Sequence, residues 1–153
     1  MKNFIFASIL FVLLLTVNAV PHQLNKRAIT FGPCPTKGTG SIDPLNVTIG
    51  SDTPKPGTSE SFSISGTLTK KNIVQNITLL EIAYKDKHGQ LIADPYNQTF
   101  TDSINAGNDF NASLAVFPTP ELPDSYNLEV MVGDPLNGTT RLNIFACALA
   151  TVG

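Results

Sequence analysis

Side chains able to do chemistry are few in this sequence and far apart. The two histidines are His22 and His88, and the two cysteines are Cys34 and Cys147. His88 lies in Lys85-Asp86-Lys87-His88-Gly89, a polar stretch that reads as a hairpin turn with Gly89 supplying a positive backbone angle. One such histidine and a pair of cysteines do not make a Ser-His-Asp arrangement or a zinc site. The sequence contains no glycine-rich phosphate loop, no HExxH and no GxSxG. Asp94, Asp102, Asp109, Glu121, Asp124 and Asp134 fall in loops or at strand ends, where solvated turn positions are usual. A carboxylate pair for glycoside hydrolysis needs a substrate cleft, and a chain of this size leaves little room for one. The expectation is a protein that is not an enzyme, with no catalytic residue, no metal and no cofactor.

The elements that would position any site begin after an N-terminal leader. Residues 1–19 open with Lys2, continue through a 14-residue run from Phe4 to Val17 that is apolar except for Ser8 and Thr16, and end in Val17-Asn18-Ala19. That is the pattern of a signal peptide, too short for the roughly 20 residues of a membrane-spanning helix. Residues 20–27 end in the dibasic pair Lys26-Arg27 and read as a possible pro-segment. The remainder, 28–153, has the length of one domain with a real core.

Over 28–153 there are seven basic and twelve acidic residues, a net charge of −5. That balance argues against a nucleic-acid partner and against strong docking on anionic membranes. In an oxidising compartment Cys34 and Cys147 are expected to form a disulfide between the two ends of the domain. Five sequons, at Asn46, Asn76, Asn97, Asn111 and Asn137, agree with passage through the secretory route, and each requires its asparagine at the surface for glycosylation.

Nothing in 28–153 sustains a helical period for three turns, and Pro or Gly interrupts the chain about every ten residues, so the fold class expected is all-β. Strands are predicted over 42–49, 59–68, 76–84, 90–93, 97–103, 109–116, 125–132 and 139–150, a spacing that suggests a two-sheet β-sandwich. Alternation places Phe110, Ala112, Leu114 and Val116 on one inner face and Tyr126, Leu128, Val130 and Val132 on another. In 76–84, facing Asn76 and Thr78 outward puts Ile77 and Leu79 inside but leaves Leu80, Ile82 and Tyr84 out of phase. A bulge near Leu80 and Glu81 is the predicted remedy.

Two stretches stand out for their lack of reactive groups. Asp52-Thr-Pro-Lys-Pro-Gly-Thr58 reads as a prefolded turn launching a strand whose Phe62 and Ile64 point inward. Phe117-Pro-Thr-Pro-Glu-Leu-Pro123 gathers a Phe and a Leu among three prolines in one connection, a plug for one end of the core or the mouth of a ligand site.

Phe31-Gly-Pro-Cys34, the Thr53-to-Gly57 turn leading into Phe62-Ser-Ile-Ser-Gly66, the connection from Phe117 to Tyr126, and Cys147 in the final strand together resemble the ML lipid-recognition domain family. Their order and spacing are similar to those of fungal phosphatidylglycerol/phosphatidylinositol transfer proteins, relatives of the Niemann-Pick type C sterol carrier. The likeness spans residues 30–152. It implies an immunoglobulin-like sandwich whose sheets part around an apolar lipid cavity, and the same Cys34–Cys147 bond. Several relatives carry further cysteine pairs that are absent here. By the same resemblance, Phe117, Pro118, Pro123 and Tyr126 would line the mouth. Phe62, Ile77, Leu79, Phe100, Phe110, Leu128, Val130 and Phe145 would lie deeper.

The expectation is therefore a monomeric lipid-binding and lipid-transfer protein, secreted or held in the lumen of the endomembrane or vacuolar system. It would carry a phospholipid or sterol with transient membrane contact. The rival is a secreted, glycosylated interaction module or effector with a solid core and no ligand.

Overall fold

The computed structural model describes residues 28–35, 41–136 and 141–153. The expected signal peptide and pro-segment, and the sequon asparagine Asn137, lie outside them. Eight strands form: β1 Gly32–Pro33, β2 Asp43–Ile49, β3 Ser59–Thr67, β4 Leu79–Asp86, β5 Tyr96–Thr99, β6 Asp109–Pro118, β7 Tyr126–Pro135 and β8 Leu142–Val152. The protein is all-β, and no helix among the described residues is long and apolar enough to cross a membrane.

The strands make one mixed sheet in the order β5-β4-β7-β8-β2-β3-β6, with β1 beside β8. Strand β2 is the link. Asp43 and Pro44 pair in parallel with Ala146 and Cys147 of β8, whereas Leu45 to Ile49 pair antiparallel with β3. A limb of β5, β4, β7 and β8 thus bends at β2 into a limb of β2, β3 and β6. The sheet curls nearly into a barrel around the main core.

In β3 the Ser-Glu-Ser-Phe-Ser-Ile pattern works as alternation predicts: Phe62 and Ile64 are buried while Ser61 and Ser63 face water. Leu128, Val130 and Val132 of β7 meet Leu80, Ile82 and Tyr84 of β4 in the same core. A second, smaller cluster on the outer face packs Ala83, Met131 and Cys147 against Cys34 and Ile42. The Cys34–Cys147 disulfide, spanning 113 residues, ties the N-terminal segment over that face. Strands β4, β7 and β8 are consequently covered on the outer face at Ala83, Met131 and Cys147.

Three expectations are corrected and one strand is added. First, no bulge breaks β4, which pairs with β7 in continuous register from Leu79 opposite Gly133 to Asp86 opposite Tyr126. The inner phase is Thr78, Leu80, Ile82 and Tyr84, so Ile77 is 51% exposed and Leu79 lies on the outer side of the strand. Thr78 tolerates full burial because its hydroxyl donates to Asp134 Oδ1 at 2.7 Å and accepts from the Val74 N–H at 2.9 Å. Asn76 reaches the surface through a left-handed turn, φ 59°, instead of strand alternation. Replacing Thr78 with Val strands the Val74 N–H and the Asp134 carboxylate, and is expected to cost about 1–3 kcal/mol in urea unfolding of unglycosylated protein.

Second, Val116 is 64% exposed. Between Glu60 opposite Phe117 and Phe62 opposite Leu114, β3 has one residue where β6 has two, a bulge that turns Ala115 and Val116 outward and brings Phe117 in. Third, residues 90–93 form no strand. Leu91 makes a single bridge to Lys85, and Ile92 donates its N–H to the Tyr84 carbonyl as the chain turns toward Pro95. The expected Gly89 turn is present, with φ 82° and the Asp86 carboxylate accepting the His88 and Gln90 N–H groups. The added strand is β1, which pairs with β8 and at two residues is too short for periodicity to reveal.

Strand β8 has its own irregularity. Its register against β7 shifts between Val132–Ala146 and Gly133–Ile144, leaving Phe145 as the extra residue. Phe145 shares a sequence phase with Cys147, yet it packs in the main core while Cys147 belongs to the outer cluster. Gly133 makes the bulge possible, since a Cβ there would sit 2.3 Å from the Asn143 carbonyl oxygen.

Candidate functional site

The open side of the sheet lies between β5 and β6, the two ends of the strand order. Ring contacts close it. Tyr96 of β5 meets Phe117 of β6 edge to face with centroids 5.8 Å apart, and Phe100, just beyond β5, meets Phe110 in the same manner at 5.7 Å. Past the end of this seam, Ile73 and Ile104 form an isolated backbone bridge.

Phe117 is the centre of the arrangement. Its ring stacks on Tyr84 at 5.5 Å with an interplanar angle of 5° and presents itself edge-on to Phe62 at 5.8 Å. It therefore touches β3, β4 and β5 at once. The bulge at Ala115 and Val116 aims it, and the following residue pair is fixed by the proline-rich turn: Thr119 donates its N–H to the Thr58 carbonyl at 2.8 Å and accepts the Gly57 N–H at 3.1 Å. Gly57 can close that turn because its φ is 74°. The turn and the connection after β6 thus clasp each other, with Pro54 buried beneath and Leu122 packed against the core.

Behind the aromatic seam lies a small group of polar side chains. The Tyr84 hydroxyl and the Thr119 hydroxyl are both buried and neighbour each other, but neither reaches a partner in hydrogen-bonding geometry. Glu60 is 4% exposed and accepts a hydrogen bond from Ser51 Oγ at 2.6 Å. Tyr126 approaches Tyr84 with ring centroids 6.0 Å apart. Burial pushes the Tyr84 phenol up from 10.0 to about 12, with a smaller opposing effect from Thr119 and further increases from Tyr126 and Glu60. Burial raises Tyr126 in the same direction, and Glu60 adds to it.

A proton held more tightly in the folded state stabilises that state below the unfolded pKa and ceases to do so as pH climbs through the folded one. Tyr84 therefore contributes stability that is complete below pH 10 and fades between 10 and about 12. The expected result is a falling urea midpoint across that window, with a shallower fall in Tyr84→Phe, and a phenolate absorbance titration delayed relative to free tyrosine.

The residues singled out from the sequence divide clearly. Phe62, Phe110, Phe117, Tyr126, Leu128, Val130 and Phe145 are all buried in the main core, and Phe100 packs against it half-buried. Ile77, Pro118 and Pro123 are exposed, and Leu79 faces away from the core, so these four do not line the interior. Tyr84, Tyr96 and Thr119 belong to the site but carried no individual sequence signal. Tyr84 was legible only through the correct phase of β4, and Tyr96 only through its neighbour across the seam.

Four lysines differ in their surroundings. Lys85 pairs with Glu129 at 2.5 Å, Lys71 sits over the Phe145 ring at 5.6 Å, and Lys70 reaches Ser41 Oγ at 3.3 Å. Lys55 lines a polar groove of about 370 Å³ together with Ser51, Thr53, Thr58 and Glu60, next to the clasp. The carboxylates have structural work: Asp43 holds Thr69, Asp109 accepts from Thr67, and Asp134 accepts from Thr78. His88 is exposed in its turn. Among the described residues no group of three or more His, Cys, Asp or Glu side chains is placed to hold a metal.

No family model matches the chain, and neither a curated protein nor a solved structure matches it.

Proposed function

We propose that this protein binds a lipid, a phospholipid or a sterol, between the two limbs of its sheet and carries it between membranes. The observation that carries the reading is the seam: β5 and β6 face each other through aromatic rings, with two unpaired buried hydroxyls behind them. Parting rings forfeits dispersion and apolar burial that an acyl chain or sterol face restores, whereas parting a strand ladder would orphan backbone hydrogen-bonding groups. The seam is thus the least costly place to admit an apolar ligand. Each methylene buried there contributes about 0.8 kcal/mol before ordering costs. A polar or phosphate head group would remain at the clasp, within reach of the groove that Lys55 lines.

Strand order supports a sandwich of the immunoglobulin kind. The limb β5-β4-β7-β8 and the limb β2-β3-β6 follow the C′CFG and ABE arrangement of such domains. The disulfide, which joins residues 113 positions apart, agrees with a secreted or lumenal location. A second reading, a solid-cored interaction module, draws on the same ring stack, because Phe117 fills the space where a ligand would lie.

Vesicle transfer separates the two. Added protein should accelerate movement of a fluorescent phospholipid or sterol from donor to acceptor vesicles in proportion to its concentration. Transfer of neither, at any concentration, contradicts the carrier reading and favours the module.

A further inference from the structure

Among the described residues the two end strands of the sheet, β5 and β6, each have one unpaired side, and each carries a sequon. Asn97-Gln-Thr99 occupies most of β5, and both Asn97 and Thr99 are exposed. Asn111-Ala-Ser113 lies in β6, again with Asn and hydroxyl both exposed. A free edge presents a row of unpaired N–H and C=O groups that will pair with another strand unless it is blunted, usually by charge or proline. Here β5 has only its four-residue length and β6 only the bulge at Ala115 and Val116 to blunt them: β5 reads Tyr-Asn-Gln-Thr without a charge, and β6 is uncharged and proline-free from Phe110 to Phe117. Its Val116 and Phe117 add β-forming apolar character.

The sequon of β2 is placed differently in the strand order. Asn46 stands opposite Ser65, which stands opposite Asn111, so Asn46 and Asn111 share an outward row two strands apart. Strand β2, however, lies inside the strand order, bonded to β3 along Leu45 to Ile49 and to β8 at Asp43 and Pro44. A sugar on Asn46 thus stands on neither of the two end strands.

We propose that N-linked glycans on Asn97 and Asn111 guard the two free edges against strand pairing between copies of this chain. In the modification, the side-chain amide nitrogen forms a bond to the anomeric carbon of an oligosaccharide. That carbon leaves its polyprenyl-diphosphate carrier, the diphosphate being the leaving group, and the amide nitrogen gives up one proton. The bulky product projects from the outer face beside each edge, where an incoming strand would have to lie. The inference is independent of lipid binding.

The test begins with the full chain made in a eukaryotic secretory host, with glycopeptides mapped by mass spectrometry. N46Q and the double variant N97Q/N111Q are then compared by size exclusion with light scattering. The expected result is sugar on both Asn97 and Asn111, a monomeric wild type and N46Q, and a double variant whose dimers or larger species grow several-fold with concentration. Should the double variant fail to fold, endoglycosidase trimming of folded N46Q protein gives the same readout. An unmodified Asn97 or Asn111, or edges that stay monomeric without their sugars, overturns the proposal.

Discussion

Phe117→Ala is expected to lower stability by about 3–5 kcal/mol and to leave the protein unable to retain a lipid. The ring is 4% exposed and touches Phe62, Tyr84 and Tyr96, so truncation removes contacts to three strands together. It also opens the seam beside the clasp, where the void would admit water to the Tyr84 and Thr119 hydroxyls. Urea unfolding monitored by tyrosine fluorescence measures the first effect, and vesicle transfer the second. A loss below about 1 kcal/mol would mean that the stack is not the keystone described above. Phe117→Leu, which keeps most of the apolar volume, should recover much of the stability, a control that separates packing from general misfolding.

The second large effect belongs to the disulfide. Replacing Cys34 and Cys147 together by Ser releases a constraint over 113 residues, for which the chain-entropy model gives about 4–5 kcal/mol. Two local losses add to it. Cys147 is buried among Ala83 and Met131, where a serine hydroxyl has poor company, and the segment bearing Cys34 would no longer be held over the outer face. Reduction of the wild-type protein should reproduce most of the shift in urea midpoint. Equal midpoints for oxidised and reduced protein would contradict the role assigned to the bond.

Much of this architecture could be read from residue order. The all-β class followed from punctuation by Pro and Gly, the cysteine pairing from location and number, and the inward sets of β3 and β7 from strict alternation of Phe62 with Ile64 and of Leu128 with Val130. What escaped reading has a common cause. A one-residue change of phase inverts every side chain beyond it, and neither the bulge before Phe117 nor that at Phe145 leaves a local mark. Gly133 is the one hint, a glycine in the middle of an otherwise strong strand.

At β4 the cause is different. A sequon threonine need not face outward, because Thr78 satisfies its hydroxyl internally and Asn76 reaches water through its own turn. Likewise, Pro118 and Pro123 stand exposed while Phe117 and Leu122 pack inward, so it is the apolar members of that connection, not its prolines, that meet the core. A curled single sheet instead of two separate ones turns on the two residues Asp43 and Pro44, whose parallel pairing with β8 no periodicity could announce.

The central claim is that the aromatic seam parts for a lipid. Native mass spectrometry of the secreted, deglycosylated protein, followed by organic extraction and lipid analysis, tests it most directly. The account predicts a stoichiometric adduct of lipid mass on the wild type, diminished in Phe117→Ala. A bare protein mass, persisting after incubation with phospholipid and sterol vesicles, would contradict it and leave the rings as the permanent filling of a solid core.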